Sequence, residues 1–344
     1  MTRRPTRTIG LIALLACALA LGACAKSDEP ATPERKRLTL VLDYLPNPDH
    51  VGIYMAKARG EFDKAGLDVD IVTPADPAAP LKLVTGGRAD VAISYEPEIL
   101  LARDQGAQVL SIAALAQQPL TSVMAVKGRS ADPAKFAGKK IGTAGIPYQD
   151  AYLDEILDTA NVDPASVKRV DVGFNLSPAM LSGRVDATLG AFWNVEGVQL
   201  RLEGKRPRIA PVDTLGVPTY DELILIAGYE TVQREGALLR RFLQALQRGT
   251  LAAEADPEAA VDALLKETEG LERRFATASV KATLPVLFPE DRSRPFGFQN
   301  LREWQEYADW MKRNGLIRQP VDVGTVATNE FLPGEGLGDA RTAP

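Results

Sequence analysis

Short apolar runs alternate with stretches of helical period along most of this chain. Leu38 to Leu42 (Leu-Thr-Leu-Val-Leu) has the character of a strand, and after the Pro46-Asn47-Pro48 turn Val51, Tyr54, Met55 and Ala58 recur at helical spacing. Leu67 to Val72 alternates as strands do. A helix is predicted over Ala78 to Thr85 and a strand over Ala89 to Ser94, then helix at Glu98 to Gln105 and strand at Gln108 to Leu115. The rhythm restarts with strands at Val123 to Val126 and Lys140 to Thr143, a helix at Gln149 to Thr159 and a strand at Val167 to Val172. Strands alternating with helices of this length predict an α/β chain with parallel sheet. Beyond Leu223-Ile224-Leu225-Ile226-Ala227 only helices are predicted, roughly Gly236 to Ala255, Pro257 to Thr268, Glu272 to Leu287 and Asn300 to Asn314. Trp304, Tyr307, Ala308 and Met311 share one face of the last, a stripe expected in the core.

An internal echo divides the α/β part. Leu83-Val84-Thr85-Gly86-Gly87-Arg88-Ala89-Asp90-Val91-Ala92-Ile93 resembles Met180-Leu181-Ser182-Gly183-Arg184-Val185-Asp186-Ala187-Thr188-Leu189. In each, a helix stops at a glycine, which accepts the left-handed cap conformation, and Arg-x-Asp leads into a buried strand. Two similar lobes follow: residues 38–120 plus the C-terminal helices at 222–331 in one, residues 121–221 in the other. The chain would cross between them near Pro119 to Ser122 and Tyr220 to Leu223, forming a hinge.

The ends read differently. Arg3, Arg4 and Arg7 precede the apolar run Ile9 to Leu21, which suits a secretory signal and is too short to span a bilayer. It closes in Leu21-Gly22-Ala23-Cys24, which resembles the lipobox of bacterial lipoproteins, so residues 1–23 are expected to be removed and the Cys24 thiol acylated. Residues 24–37, rich in Pro and charge, read as a flexible tether, and residues 332–344 as a disordered tail. The body is therefore expected in the cell envelope, lipid-anchored on the extracytoplasmic side of a bacterial membrane.

Composition narrows the chemistry. The 344 residues include 40 Lys and Arg against 45 Asp and Glu; without Arg3, Arg4 and Arg7 the balance is −8. A body that acidic argues against nucleic acid, whose phosphates require a basic stripe. The two cysteines, Cys17 and Cys24, both lie in the N-terminal segment, and His50 is the single histidine, so a zinc site, a disulfide framework or a catalytic thiol in the body has no support. No Walker loop, Gly-x-Ser-x-Gly elbow or Gly-x-Gly-x-x-Gly turn is present, which makes binding the better default.

Ligands of open α/β sheets bind outside the carboxyl ends of the strands. The loops expected there carry the candidate residues: Asp43, Tyr44, Asn47 and His50 after the first strand, then Tyr95 and Pro119, then Tyr148, Trp193, Asn194, Glu196 and Tyr220 from the second lobe. Flat rings beside amides and carboxylates suit a planar heterocycle, its faces sandwiched and its donor–acceptor edge read by Asn or Glu. Each has a plainer use. His50 suits a helix start, Tyr44 and Tyr95 suit the core, Trp193 suits lobe packing, and Asp43 and Asp221 suit turns or caps. Glu96 and Glu98, at period-two spacing in an expected strand, would face opposite ways and do not suit a glycosidase pair.

The stretch Leu42-Asp43-Tyr44-Leu45-Pro46-Asn47-Pro48-Asp49-His50-Val51-Gly52-Ile53-Tyr54-Met55-Ala56 resembles the thiamine-precursor branch of ABC-transporter solute-binding proteins. Gly60-Glu61-Phe62 with Gly66-Leu67-Asp68-Val69, Gly138-Lys139-Lys140-Ile141-Gly142, Trp193-Asn194-Val195-Glu196 and Gly216-Val217-Pro218-Thr219-Tyr220-Asp221-Glu222-Leu223 extend the resemblance. It implies a two-lobed periplasmic-binding-protein fold, type II-like, that captures a thiamine pyrimidine precursor such as formylaminopyrimidine or hydroxymethylpyrimidine without a cofactor. The ligand would then pass to a permease and its ATPase. Eukaryotic enzymes of the same superfamily build the pyrimidine from a lysine-bound pyridoxal phosphate and their own histidine. Ser94 and Glu98 stand at those positions here, and the body lacks their cysteine run. Two alternatives stay open: a riboflavin-binding transporter protein, which shares the first motif, and a secreted enzyme on an aminopyrimidine using Glu196 as base and His50 as acid.

Overall fold

The computed structural model describes residues 35–126 and 128–334. The expected signal segment, the acylated Cys24 and most of the expected tether and tail lie outside those residues. Among the described residues, ten strands form two five-stranded sheets. The first, in the order β2-β1-β3-β10-β4, comprises β1 (Lys36–Val41), β2 (Leu67–Val72), β3 (Val91–Ser94), β4 (Val109–Ala116) and β10 (Leu223–Gly228). The second, in the order β7-β6-β8-β5-β9, comprises β5 (Thr121–Ala125), β6 (Lys140–Thr143), β7 (Lys168–Asp171), β8 (Ala187–Phe192) and β9 (Arg208–Pro211).

The two sheets share one topology. In each, a parallel trio (β2-β1-β3, β7-β6-β8) is joined by an antiparallel strand that arrives from a crossover, β10 beside β3 and β5 beside β8. The echo marks the equivalent junction in both. Gly87 and Gly183 take φ of 66° and 83° after helices Ala79–Thr85 and Leu176–Ser182, as the glycine pattern predicts. Asp90 then accepts from the Thr39 backbone N–H at 2.7 Å, and Asp186 from that of Lys140 at 2.9 Å, tying β3 to β1 and β8 to β6 at matched positions. β4, β5 and most of β10 are buried along their whole length, which explains their unbroken apolar character.

The helical C-terminal part covers the first sheet. Helix Gly236–Ala255 crosses helix Val51–Ala58 so closely that a Cβ on Gly249 would lie 2.4 Å from the Ala56 Cβ, and one on Gly52 2.2 Å from Thr250 Oγ1. Trp304, Tyr307, Ala308 and Met311 are all buried on helix Leu301–Arg313, the expected core stripe.

Three expectations change. β1 starts at Lys36 rather than Leu38: Lys36 and Arg37, read as tether, pair with Leu67 and Asp68, and Arg37 meets Asp70 at 2.9 Å. Glu96 and Glu98 do not alternate in a strand. β3 ends at Ser94, and Pro97, its φ already suited to a first turn, opens helix Glu96–Asp104. Leu332, read as tail, packs against the core.

The crossovers are bound to each other by Glu222, fully buried beside Asp221. Its Oε2 accepts from the backbone N–H of Leu120 at 2.8 Å, that of Thr121 at 2.7 Å and the Tyr220 hydroxyl at 3.0 Å, while Oε1 accepts from Thr121 Oγ1 at 3.0 Å.

Candidate functional site

A cleft of about 370 Å³ lies between the sheets, lined by the loops after β1, β3, β6, β7 and β8, and closed on one side by Leu271 and Phe275. Its rings come from both lobes: Tyr44 and Tyr95 from the first, Tyr148, Phe174 and Phe192 from the second. Tyr44 and Phe174 meet edge-on across the mouth at 4.7 Å and 87°, and the Tyr44 hydroxyl donates to the Gly173 carbonyl at 3.4 Å. Tyr95 and Tyr148 meet deeper in, their centroids 5.4 Å apart.

The polar end is built on Asp43. Oδ2 accepts from the Tyr95 hydroxyl at 2.8 Å, and Oδ1 faces His50 Nε2 at 2.8 Å. The Asn47 backbone N–H donates to His50 Nδ1 at 3.2 Å, so Nδ1 is the acceptor and Nε2–H the donor: the ring is held in one neutral tautomer. Asn47 also caps the 3-10 turn Pro48–His50 through its side chain, which accepts from the Asp49 N–H at 2.8 Å. His50 is fully buried beneath the cleft, where it orients Asp43.

Glu196 lines the opposite wall at the start of helix Glu196–Leu202, half-buried, with Oε2 accepting from the Phe192 N–H at 2.8 Å. Burial pushes its carboxyl up to about 7, assisted by the charges of Asp49 and Asp43 and opposed by backbone N–H donors. Among the described residues, no Lys, Arg or His lines the cleft, and two carboxylates do.

Of the residues expected from the sequence, the cleft brings together Asp43, Tyr44, Asn47, Tyr95, Tyr148 and Glu196. Five lie elsewhere. His50 sits behind Asp43. The Trp193 indole N–H donates to the Pro119 carbonyl at 3.1 Å, so both residues tie β8 to the first crossover instead of walling the cleft. Tyr220 packs on Tyr152 and Tyr307 in the crossover. Asn194, fully buried, ties its loop to two elements, the turn Pro48–His50 and helix Arg273–Thr283: Nδ2 donates to Asp49 Oδ1 at 2.5 Å and to Thr283 Oγ1 at 2.7 Å, and its backbone carbonyl accepts from Ser279 Oγ at 2.5 Å. Asp49 Oδ2 and Asn194 Oδ1 have no other partner among the described residues. Burial raises the Asp49 carboxyl to about 6, while the hydrogen bonds from Asn194 and Thr283 work against that rise.

Sequence reasoning missed Gln149, Phe174, Ser177 and Phe275. Gln149 opened an expected helix, and nothing in the helix-only C-terminal pattern indicated that Leu271 and Phe275 fold over the cleft. Phe174, placed directly after a strand, was the one with a readable signal.

Residues 47–260 match the protein family described as NMT1/THI5 like. The chain is similar to the formylaminopyrimidine-binding protein of Halalkalibacterium halodurans, with 33% identity over 92% of this chain and 96% of that one. It is also similar to the 4-amino-5-hydroxymethyl-2-methylpyrimidine phosphate synthase of Legionella pneumophila, 27% identical over 89% of this chain and 96% of that one. Its fold is similar to that of the alkanesulfonate-binding protein SsuA from Xanthomonas axonopodis pv. citri, with a TM-score of 0.66 and 18% identity over 86% of this chain and 99% of that one. The expected two-lobed periplasmic-binding-protein fold is thereby met.

Proposed function

Since this chain belongs to the NMT1/THI5-like family, we propose that it is the solute-binding component of an ABC importer and captures a thiamine pyrimidine precursor of the 4-aminopyrimidine type. The observation that carries this is the cleft itself: aromatic rings from both lobes beside two carboxylates, with no cationic side chain among the described residues of the lining. The heterocycle lies against the rings, and Glu196 accepts from its exocyclic amine. The relative from Halalkalibacterium halodurans, named for formylaminopyrimidine, supports this reading. Lobe 1 comprises residues 36–120 with 222–332 and lobe 2 residues 121–221, and they close over the ligand about the crossovers held by Glu222. Closure presents the permease and its ATPase with a surface the open form lacks. An acylated Cys24 holds the protein on the extracytoplasmic face of the membrane.

Riboflavin fits less well, because its imide carbonyls call for donors where Asp43 and Glu196 offer acceptors. An enzyme with His50 as acid has the ring fully buried, one nitrogen engaged by Asn47 and the other by Asp43. The test is incubation with 4-amino-5-hydroxymethyl-2-methylpyrimidine, its formylaminomethyl analogue and riboflavin, followed by melting and mass analysis. A raised Tm with unaltered pyrimidine supports the proposal. A new product mass, or stabilisation by riboflavin alone, overturns it.

A further inference from the structure

We propose that Gln149 and Ser177 form a neutral hydrogen-donating wall that selects, among aminopyrimidines, those whose ring substituent carries an uncharged oxygen acceptor. This rests on the aminopyrimidine reading of the same cleft and goes beyond it by assigning the far end of the ligand.

Both residues line the cleft, on different elements: Gln149 in helix Pro147–Thr159 and Ser177 in helix Leu176–Ser182. Gln149 is 2% exposed, and its Oε1 accepts from the Ala144 backbone N–H at 2.8 Å. That bond fixes which way the amide is turned, so the group left to face the cleft is the NH₂. Gly190 makes room for it: a Cβ there would lie 2.4 Å from Gln149 Nε2. The amide NH₂ is then the donor this side chain can offer a ligand. Ser177 is 5% exposed, and its hydroxyl has no partner among the described residues. A buried hydroxyl is unfavourable while unpaired, and a ligand oxygen accepting from it removes that penalty.

The charge of the cleft decides what kind of oxygen this is. A phosphate ester would bring two negative charges beside Asp43 and Glu196, with no Lys, Arg or His among the described lining residues to meet them. A formamide carbonyl or an alcohol oxygen accepts the same hydrogen bonds without that repulsion.

The test is calorimetric titration of the wild type, Ser177→Ala and Gln149→Met with three probes. These are 4-amino-5-formylaminomethyl-2-methylpyrimidine, 4-amino-5-hydroxymethyl-2-methylpyrimidine and 4-amino-2,5-dimethylpyrimidine. Within each variant the ratio of affinities is read, so a general loss of fold quality cancels. The wild type should favour the two oxygen-bearing probes over the dimethyl compound by about tenfold or more, and each variant should bring that ratio close to one. The phosphate ester of the alcohol should bind at least about a hundredfold more weakly than the alcohol. Equal binding of the three probes by the wild type overturns this proposal and leaves the aminopyrimidine reading standing, as does a ratio unmoved by either variant. A phosphate ester bound as well as the alcohol also overturns it. If no probe binds the wild type, the aminopyrimidine reading falls and this proposal with it.

Discussion

Trp193 and Phe174 show what a residue's place in the fold adds to its type. Both are aromatic and both follow a strand of the second sheet, but the indole of Trp193 is committed to the Pro119 carbonyl while Phe174 stands at the cleft mouth against Tyr44. Truncating Phe174 to Ala should remove a wall of the site and weaken ligand binding by about 1–3 kcal/mol, the usual range for a ring stacked on an aromatic side chain. Trp193→Ala should instead lower thermal stability more than affinity. Calorimetry and melting of the two variants separate these outcomes, and a larger affinity loss from Trp193→Ala would reverse the assignment.

That contrast also marks how far the sequence could be read. Residue type placed Asp43, Tyr44, Tyr95, Tyr148 and Glu196 on loops at strand ends, because strand ends are legible from the apolar runs. The direction in which a loop residue turns depends on what fills the neighbouring space. For Trp193 that is the first crossover, some 74 residues away in sequence, and for His50 it is the Asp43 carboxylate, which lines the cleft and holds the ring behind it. Short-range pattern carries neither fact.

At the scale of elements, the repeated helix–glycine–strand unit was fully legible, and its two aspartates perform the same tie in each sheet. The crossing of helices Val51–Ala58 and Gly236–Ala255 was not, since a glycine in a helix gives no hint of what presses on it. Gly249 meets the Ala56 backbone as well as its side chain: an added Cβ would lie 2.6 Å from the Ala56 Cα. Gly249→Ala should therefore force the helices apart and cost about 1–3 kcal/mol despite the better helix propensity of alanine. Denaturant unfolding checks this; a variant as stable as the parent would show that the crossing yields freely.

Buried carboxyls shape the whole molecule's response to pH. Burial raises Asp49 to about 6 and Glu98, Asp221 and Glu222 to about 7, all above their unfolded values. The folded state then binds more protons than the unfolded state between those limits, so stability is present at low pH and is lost as pH rises through about 4 to 7. Glu61 acts in the opposite sense: burial raises it, but hydrogen bonds from Lys64 and Arg248 outweigh that and hold it below the ordinary range, so its contribution is lost on acidification. The Tm should be higher near pH 5 than at pH 8, and a Tm that climbs steadily to pH 8 would contradict this protonation pattern.

The most direct test of capture by the two lobes is titration, at pH 8 where the Glu196 carboxyl is ionised, of the parent and Glu196→Gln with 4-amino-5-hydroxymethyl-2-methylpyrimidine and, separately, riboflavin. The substitution keeps the side chain's size, removes its charge and places an NH₂ donor against the ligand's amine. Losing that charge-assisted bond should weaken the aminopyrimidine by about 1.5–3 kcal/mol, roughly ten- to a hundredfold, with riboflavin bound weakly or not at all by the parent. Glu196→Gln binding the aminopyrimidine as tightly as the parent, or tight riboflavin binding by the parent, would contradict it.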